Sequence, residues 1–240
     1  MLPGATQQVP ASLMTLLAVF SPLLTAPSFR GFCGLACGFL AQPGKRTVCG
    51  MLTGAGLARA WPHDRAHYFF SRARWDPDEL GLGAARLVVS LLVPAGAPVD
   101  VAVDDTLLKR RGKKVWAASW FHDGSAHGPA RTGYGNNWVV LAVIVRLPVM
   151  SRPVAVPVMA KLVIKDTNSK SRLWLARRMA ETAIEDAKQV FGTGQARNRA
   201  ARAVERSVPF QIACQAIAVT WYATVGHDPA HRQERRANAP

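Results

Sequence analysis

One apolar run constrains the fold of this chain more than any other feature of its sequence. Residues 138–147 read WVVLAVIVRL and contain a single charged side chain, that of Arg146. An apolar run without polar alternation is typical of a strand that is buried on both faces of a sheet. The sequence therefore predicts a sheet whose faces are covered by other elements.

β-Rich segments around this run predict the rest of the sheet. Three further strands are predicted at residues 99–103, 115–121 and 154–164. The first is expected to end at Asp104 and Asp105, and Pro157 in the last indicates an edge strand or a bulge. Residues 124–137 are rich in glycine and are expected to form a loop.

Residues 11–29 carry no charge and approach the length that spans a bilayer. Pro22 and Pro27 interrupt the run and Arg30 ends it, so we interpret it as a core helix or a helix pair. The start of the chain, MLPGATQQVP, has no basic segment of the kind that begins a secretory signal. We therefore expect no membrane partner, and a membrane-associated protein is the weakest of the alternatives.

Proline and glycine divide the chain into domains. Asp76 is expected to begin a helix, which Pro94, Gly96 and Pro98 bring to an end. Further helices are predicted from residue 166 to about 190 and over residues 209–225. The predicted organisation is an N-terminal helical domain at 1–97, a second domain of strands and helices at 98–226 and a flexible tail at 227–240. The predicted fold class is mixed α/β.

The charge balance favours a polyanionic partner. Lys and Arg number 30 against 15 Asp and Glu, which gives a net charge of +15 and an isoelectric point near 10.7. The excess grows toward the C-terminus without forming a tail, so folded basic surfaces that bind nucleic acid are expected, with solubility alone as the alternative. Four cysteines are too few for a disulfide scaffold and indicate a reducing compartment, and Cys33 and Cys37 are expected to be small core residues.

Residues 44–75 interleave basic and aromatic side chains. The aromatic members are Trp61, Tyr68, Phe69, Phe70 and Trp75. This mixture suits phosphate contacts with base stacking, but aromatic residues at helical spacing also form cores, and both interpretations stay open.

Acidic residues suggest a metal site. Asp104 and Asp105 follow a predicted strand, while Glu181 and Glu185 lie four residues apart on one face of a predicted helix. If they converge, their oxygens could hold two Mg²⁺ ions beside a phosphodiester. A turn or cap for the aspartates and a solvated helix face for the glutamates are the alternatives.

Three long blocks of the chain resemble one family. They are GKRTVCGMLTGAG with HYFFSRARW, then VAVDDTLLKRRGKKVWAASWFHDGSA with RTGYGNNWVVLAVIV, and finally AIEDAKQVFGTGQARNRAARAVERSVPFQIACQAIAVTWYAT. In this order they resemble insertion-sequence transposases of the DDE superfamily, of the actinobacterial type. The resemblance implies an RNase H-like core, DNA cleavage and strand transfer, and Mg²⁺ or Mn²⁺ as the cofactor. It makes residues 1–97 the expected DNA-binding domain and residues 98–226 a truncated RNase H-like DDE catalytic domain.

The resemblance also implies residue roles. The first catalytic aspartate of the family falls on Asp104, with Asp105 as the alternative, and the glutamate falls on Glu181, with Glu185 as second choice. Arg177, Lys188 and Trp174 match basic and aromatic positions around that glutamate, although packing of a helix face would explain them equally.

DNA contacts are predicted for a set of basic residues: Lys45, Arg46, Lys109, Arg110, Arg111, Lys113, Lys114, Arg177, Lys188, Arg197 and Arg199. A solvated turn between strands is the alternative for the members between 109 and 114.

One part of the family pattern is missing. Relatives carry a second catalytic aspartate on a later strand, whereas here residues 170–181 run directly into TAIEDAKQ. Asp123 and Asp166 lie in no matching motif. The simplest interpretation is an internal deletion that leaves an incomplete RNase H-like sheet and an impaired transposase, because the loss of one ligand generally abolishes two-metal chemistry.

The alternative function is a non-enzymatic DNA-binding remnant or an inhibitor of transposition. In both cases the expected partners are transposon ends and target DNA, and a homo-oligomer is left open. The expected location is the bacterial cytoplasm, in association with the nucleoid.

Overall fold

A computed structural model of the chain describes residues 9–112, 114–126, 131–148, 150–165 and 200–226. The helices are α1 (Ala11–Ala18), α2 (Ala26–Ala41), α3 (Val48–Gly54), α4 (His63–Ser71), α5 (Pro77–Leu92) and α6 (Ala201–Trp221). The strands are β1 (Val101–Lys109), β2 (Ser119–His122), β3 (Thr132–Val145) and β4 (Val154–Leu162). Helices and an antiparallel sheet together confirm the mixed α/β class.

The long strand β3 is the centre of the sheet. Its residues 138–143 pair with β1 and also with β4, so these two strands lie on opposite edges of β3. The short strand β2 pairs with residues 132–135, on the edge that faces away from β1. The prediction of a strand buried on both faces is confirmed, because Trp138, Val140, Val143 and Val145 are all buried.

The predicted glycine-rich loop at 124–137 is partly wrong, because β3 already begins at Thr132. Gly133 and Gly135 lie inside the strand. A Cβ atom on Gly135 would collide with the carbonyl oxygen of Leu108 in β1. These glycines permit close approach of neighbouring strands, a role that a sequence pattern does not separate from turn formation.

The prediction for β2 changes at its start, whereas the prediction for β4 holds. β2 begins at Ser119 and not at Val115, since Ala117 has a φ of 56°, which interrupts an extended chain. β4 matches its prediction closely. Ala142 of β3 is opposite Pro157, next to an irregularity in the ladder, which confirms the expected bulge.

The N-terminal part is helical, as predicted. The uncharged residues 11–29 form α1, a short 3₁₀ turn at Ser21–Leu23 and the start of α2. Asp76 begins α5, where its side chain accepts hydrogen bonds from the backbone N–H groups of Asp78 and Glu79. Cys33 and Cys37 are buried in α2, also as predicted.

Helix α6 starts eight residues earlier than predicted and contains Pro209 in its interior. An interior proline costs a helix about 3 kcal/mol in isolation, so tertiary packing must offset it here. The ring of the next residue, Phe210, is fully buried and makes edge-on contacts with Phe32, Phe39 and Phe70.

By length and composition, residues 201–225 would also be long and apolar enough to cross a membrane. Most of this segment is buried inside the protein, where it packs against the other helices and the sheet. Among the described residues it is the one helix that meets those criteria.

Apolar residues from both predicted domains share one core. The largest cluster joins Phe32 and Leu87 of the N-terminal helices to Val143, Val156 and Phe210. The boundary near residue 97 stays a prediction.

Arg206 ties α6 to the segment after α4. Its guanidinium is buried and donates hydrogen bonds to the carbonyl oxygens of Ala73 at 2.7 Å and Trp75 at 2.5 Å. It also lies 4.6 Å from the centre of the Trp75 ring. A charged donor therefore satisfies backbone acceptors in a buried part of the protein.

We expect Arg206→Ala to lower the free energy of unfolding by about 2–4 kcal/mol, because it leaves buried carbonyl groups unpaired. Urea unfolding followed by circular dichroism measures the change. The matched control is Arg202→Ala, one turn earlier on the same helix and exposed. Equal losses in both variants would contradict the assigned role.

Candidate active site

The two adjacent aspartates lie in the middle of β1, so the prediction that they end a strand is wrong. The strand continues to Lys109 because Thr106 and Leu108 are buried and extend the inward-facing row beyond the acids. Asp104 is opposite Val140 and Asp105 is opposite Val139, deep within the β1–β3 ladder.

Neighbouring residues of a strand point to opposite faces of the sheet. Asp104 is half-buried and shares its face with Thr106 and Leu108. Asp105 is on the other face, where it is exposed and accepts a hydrogen bond of 2.8 Å from the Nδ2 atom of Asn137. The two carboxylates are therefore not placed to bind one cation together.

The face that carries Asp104 is covered by the C-terminal helix. Leu108, Trp138 and Val140 form a hydrophobic cluster with Val204 and Val208 of α6. The Oδ1 atom of Asp104 accepts a hydrogen bond of 2.8 Å from the backbone N–H of Asp105. Asp104 is thus held at the margin of a packed face.

Asp123 has a structural role. Its carboxylate is buried, lies 2.7 Å from the Nζ atom of Lys109 and accepts hydrogen bonds from the side chain and backbone of Ser125. The hydrogen bonds from Lys109 and Ser125 lower the pKa of Asp123 to about 2. This carboxylate is committed to an ion pair with Lys109.

Much of the predicted site lies outside the described residues. This applies to Lys113, Asp166, Trp174, Arg177, Glu181, Glu185, Lys188, Arg197 and Arg199. The convergence of Glu181 or Glu185 on Asp104 stays a prediction.

The remaining basic candidates divide into two groups. Lys109 is paired with Asp123, Arg110 donates a hydrogen bond of 2.9 Å to the Oδ1 atom of Asn136, and Arg46 donates one of 3.2 Å to the Phe39 carbonyl oxygen. Burial lowers the pKa of both arginines. Lys45, Arg111 and Lys114 are exposed. Lys109 is exposed as well but is held in its ion pair, whereas Arg46 and Arg110 are only partly exposed. The second group therefore combines exposure with the absence of a described ion pair.

The aromatic residues of 44–75 mostly belong to the core. Trp61, Phe69, Phe70 and Trp75 are buried, whereas Tyr68 is 54% exposed. The packing interpretation therefore holds for four of the five, and base stacking by those four is excluded by their burial.

The structure presents an aromatic pair that the sequence analysis did not single out. Trp120 of β2 is 62% exposed, and its ring lies 5.8 Å from that of Tyr134 on β3 in an edge-to-face arrangement. The backbone N–H of Arg110 is bonded to the Tyr134 carbonyl, which places the basic segment beside this pair. The sequence of so short a strand does not show whether its tryptophan faces solvent or the core.

The described carboxylates do not complete a site for a pair of divalent ions. Asp104 and Asp105 are on opposite faces, Asp123 is bound to Lys109, and no three carboxylates converge within the described ranges. Asp104 is the acid of β1 that could contribute an oxygen ligand from the face covered by α6.

The comparison with protein families matches residues 19–226 to the family described as DDE superfamily endonuclease. The match extends over most of the chain, and the chain belongs to that family. Nucleases of this superfamily generally use divalent metal ions and act on DNA. No curated protein and no solved structure matches the chain.

The low pKa of Asp123 predicts a pH dependence of stability. Because the folded pKa lies below the unfolded value of 3.8, the ion pair stabilises the protein fully above about pH 5, and its contribution is lost as the pH falls toward about 2. We expect Asp123→Asn to lower stability by about 1 kcal/mol at neutral pH, since exposed Lys109 is partly screened. Unfolding midpoints of wild type and variant should converge in acid.

The control for this measurement is Asp100→Asn, an exposed aspartate just before β1. A gap between wild type and Asp123→Asn that stays constant from neutral to acid pH would refute the assigned ion pair.

Proposed function

We propose that the chain is a DNA transposase of the DDE superfamily by descent that still binds DNA but is impaired in cleavage and strand transfer. The observation that carries the proposal is an incomplete set of acidic residues. Within a family defined by metal-dependent endonucleases, the chain offers Asp104 in an Asp-x-Thr pattern and lacks the motif for a second aspartate.

Loss of that aspartate is chemically decisive. In relatives, Mg²⁺ or Mn²⁺ ions bound by three carboxylates would supply the charge that stabilises the attacking and leaving oxygens of a phosphodiester. Asp104 with Glu181, or their alternatives Asp105 and Glu185, would leave that donor set one carboxylate short. Cleavage and strand transfer would therefore be impaired, whereas DNA affinity depends on different residues.

The DNA-binding part of the proposal rests on charge and exposure. The net charge is +15, and Lys45, Arg111 and Lys114 have exposed side chains. Trp120 and Tyr134 add an aromatic surface beside the basic segment, where stacking on an unpaired base is geometrically open. Cations on a folded surface displace counterions from DNA, so binding should weaken steeply with salt.

The proposal has consequences for partners and location. Transposon ends and target DNA are the partners, within a bacterial cytoplasm and in association with the nucleoid. If intact copies of the transposase are present, the chain would compete with them for transposon ends, which makes inhibition of transposition the alternative function. The missing aspartate motif is the observation that favours this alternative.

We expect the triple variant Lys45→Ala, Arg111→Ala, Lys114→Ala to bind duplex DNA more weakly. The slope of log affinity against log salt should fall by about one per lost phosphate contact. Fluorescence anisotropy at several salt concentrations gives both quantities.

The control removes charge elsewhere, in the double variant Arg86→Ala, Arg152→Ala, both exposed and outside the predicted set. An unchanged slope in the triple variant would remove those three residues from the DNA surface.

We expect no cleavage of transposon-end DNA above the protein-free control with Mg²⁺ or Mn²⁺, under conditions in which binding is measurable. The assay is gel electrophoresis of end-labelled duplex. Cleavage that disappears in Asp104→Ala and persists in Asp105→Asn would overturn the impairment while supporting Asp104 as a ligand. Absence of both cleavage and DNA binding would contradict the whole proposal.

A further inference from the structure

Helices α3 and α4 bring three metal-binding side chains together at the surface of the N-terminal part. His63 and His67 are four residues apart and share one face of α4, and Cys49 belongs to α3. The Sγ atom of Cys49 lies 3.0 Å from the Nε2 atom of His63, which lies 3.1 Å from the Nε2 atom of His67. All three ligand atoms are within 4.8 Å of one another.

Hydrogen bonds alone do not satisfy the polar atoms of these three side chains. The Nε2 atom of a neutral histidine has either one proton or one lone pair, so it forms one good hydrogen bond. In His63 this single atom has two close polar neighbours, the Cys49 sulfur and the His67 nitrogen. A cation at the centre of the three atoms would satisfy all of them together, because each would offer it a lone pair.

The spacing suits a tetrahedral zinc ion. With Zn–S of about 2.3 Å and Zn–N of about 2.0–2.1 Å, tetrahedral angles place sulfur about 3.6 Å and nitrogen about 3.3 Å from a neighbouring nitrogen. The observed sulfur–nitrogen distance of 3.0 Å is about 0.6 Å shorter than this value, and the observed nitrogen–nitrogen distance of 3.1 Å is about 0.2 Å shorter, so side-chain rotation would have to move the ligands slightly apart to admit the ion. Cysteine and histidine ligands favour Zn²⁺ over the hard cations Mg²⁺ and Ca²⁺.

We propose that Cys49, His63 and His67 form a Zn²⁺ site that joins α3 to α4 and leaves the fourth ligand position to water or to a partner. Cys49 and His63 are exposed, so the ion has an open path to its ligands. The carboxylate of Asp64 lies 3.9 Å from Nδ1 of His63 and adds negative charge beside the outer ring nitrogen. The site lies apart from Asp104 in sequence and in chemistry.

The expected consequence is a metal-dependent link between the two helices. The loop from Cys49 to His63 would be closed by the ion, so Zn²⁺ binding would favour the folded state. Arg206 donates hydrogen bonds to the backbone that follows α4. The ion and Arg206 would therefore stabilise the same region of the protein.

Cobalt is the probe for this site. Co²⁺ substitutes for Zn²⁺, and a thiolate ligand gives it a sulfur-to-metal charge-transfer absorption. The other described cysteines do not compete for this signal. Cys33, Cys37 and Cys214 are buried, and burial raises the pKa of Cys33 to about 12 and of Cys37 to about 11, which keeps their thiols protonated.

The experiment titrates the full chain with Co²⁺ and then with Zn²⁺, and it records absorption and the thermal unfolding midpoint. We expect one Co²⁺ per chain with a thiolate band, displacement by Zn²⁺, and a higher midpoint with Zn²⁺. Cys49→Ser, at an exposed position, should abolish the band, and His63→Ala should lower the Co²⁺ affinity by about tenfold or more.

Two control variants keep the test specific. His122→Ala removes an exposed histidine outside the cluster, and Asp104→Ala removes the candidate metal ligand on β1. Both should retain the thiolate band and the Zn²⁺-dependent rise in midpoint. Absence of the band in folded wild type, or an unchanged band in Cys49→Ser, would overturn the zinc site, and neither result bears on DNA cleavage.

Discussion

Backbone pairing along β3 is the constraint on which the rest of the structure depends. Its residues 138–143 form ladders with β1 on one edge and with β4 on the other. In an apolar interior every N–H and C=O group needs a partner, so a strand this hydrophobic is stable only between two others. The side chains of β3 then project from both faces of the sheet. Trp138 and Val140 pack with α6 on one face, while Val143 and Val145 join the large core that the N-terminal helices build on the other.

The same alternation decides what the acidic pair can do. Because β1 is in register with β3, Asp104 must share a face with Val140, and Asp105 must share a face with Val139. Adjacent carboxylates that look interchangeable in the sequence therefore occupy different environments, one half-buried beside the α6 cluster and one exposed and bonded to Asn137. A metal site made of carboxylates needs acids that converge, and a strand can offer only one of two neighbours to a given site.

Features governed by local chemistry were predictable. Asp76 caps α5 because its side chain reaches N–H groups within the next three residues, and Pro157 marks the irregular part of a ladder because it has no N–H to donate. Features governed by distant partners were not. β3 extends back to Thr132 because Gly135 fits closely against Leu108, and α6 passes through Pro209 because Phe210 is held by rings from α2 and α4.

The sequence by itself determined the mixed α/β class, the buried strand from residue 138 to residue 145, the helical N-terminal part and the family, since these depend on hydrophobic period, capping residues and long blocks of matching sequence. The predicted strand overshoots β3 by two residues. Only the tertiary structure decided that β1 continues through Asp104 and Asp105 and which of the two faces α6, that Asp123 binds Lys109, and that Cys49 meets His63 and His67. Each of these facts depends on which face of a strand or helix points toward another element. That choice is made by packing between residues far apart in the chain, and no local pattern encodes it.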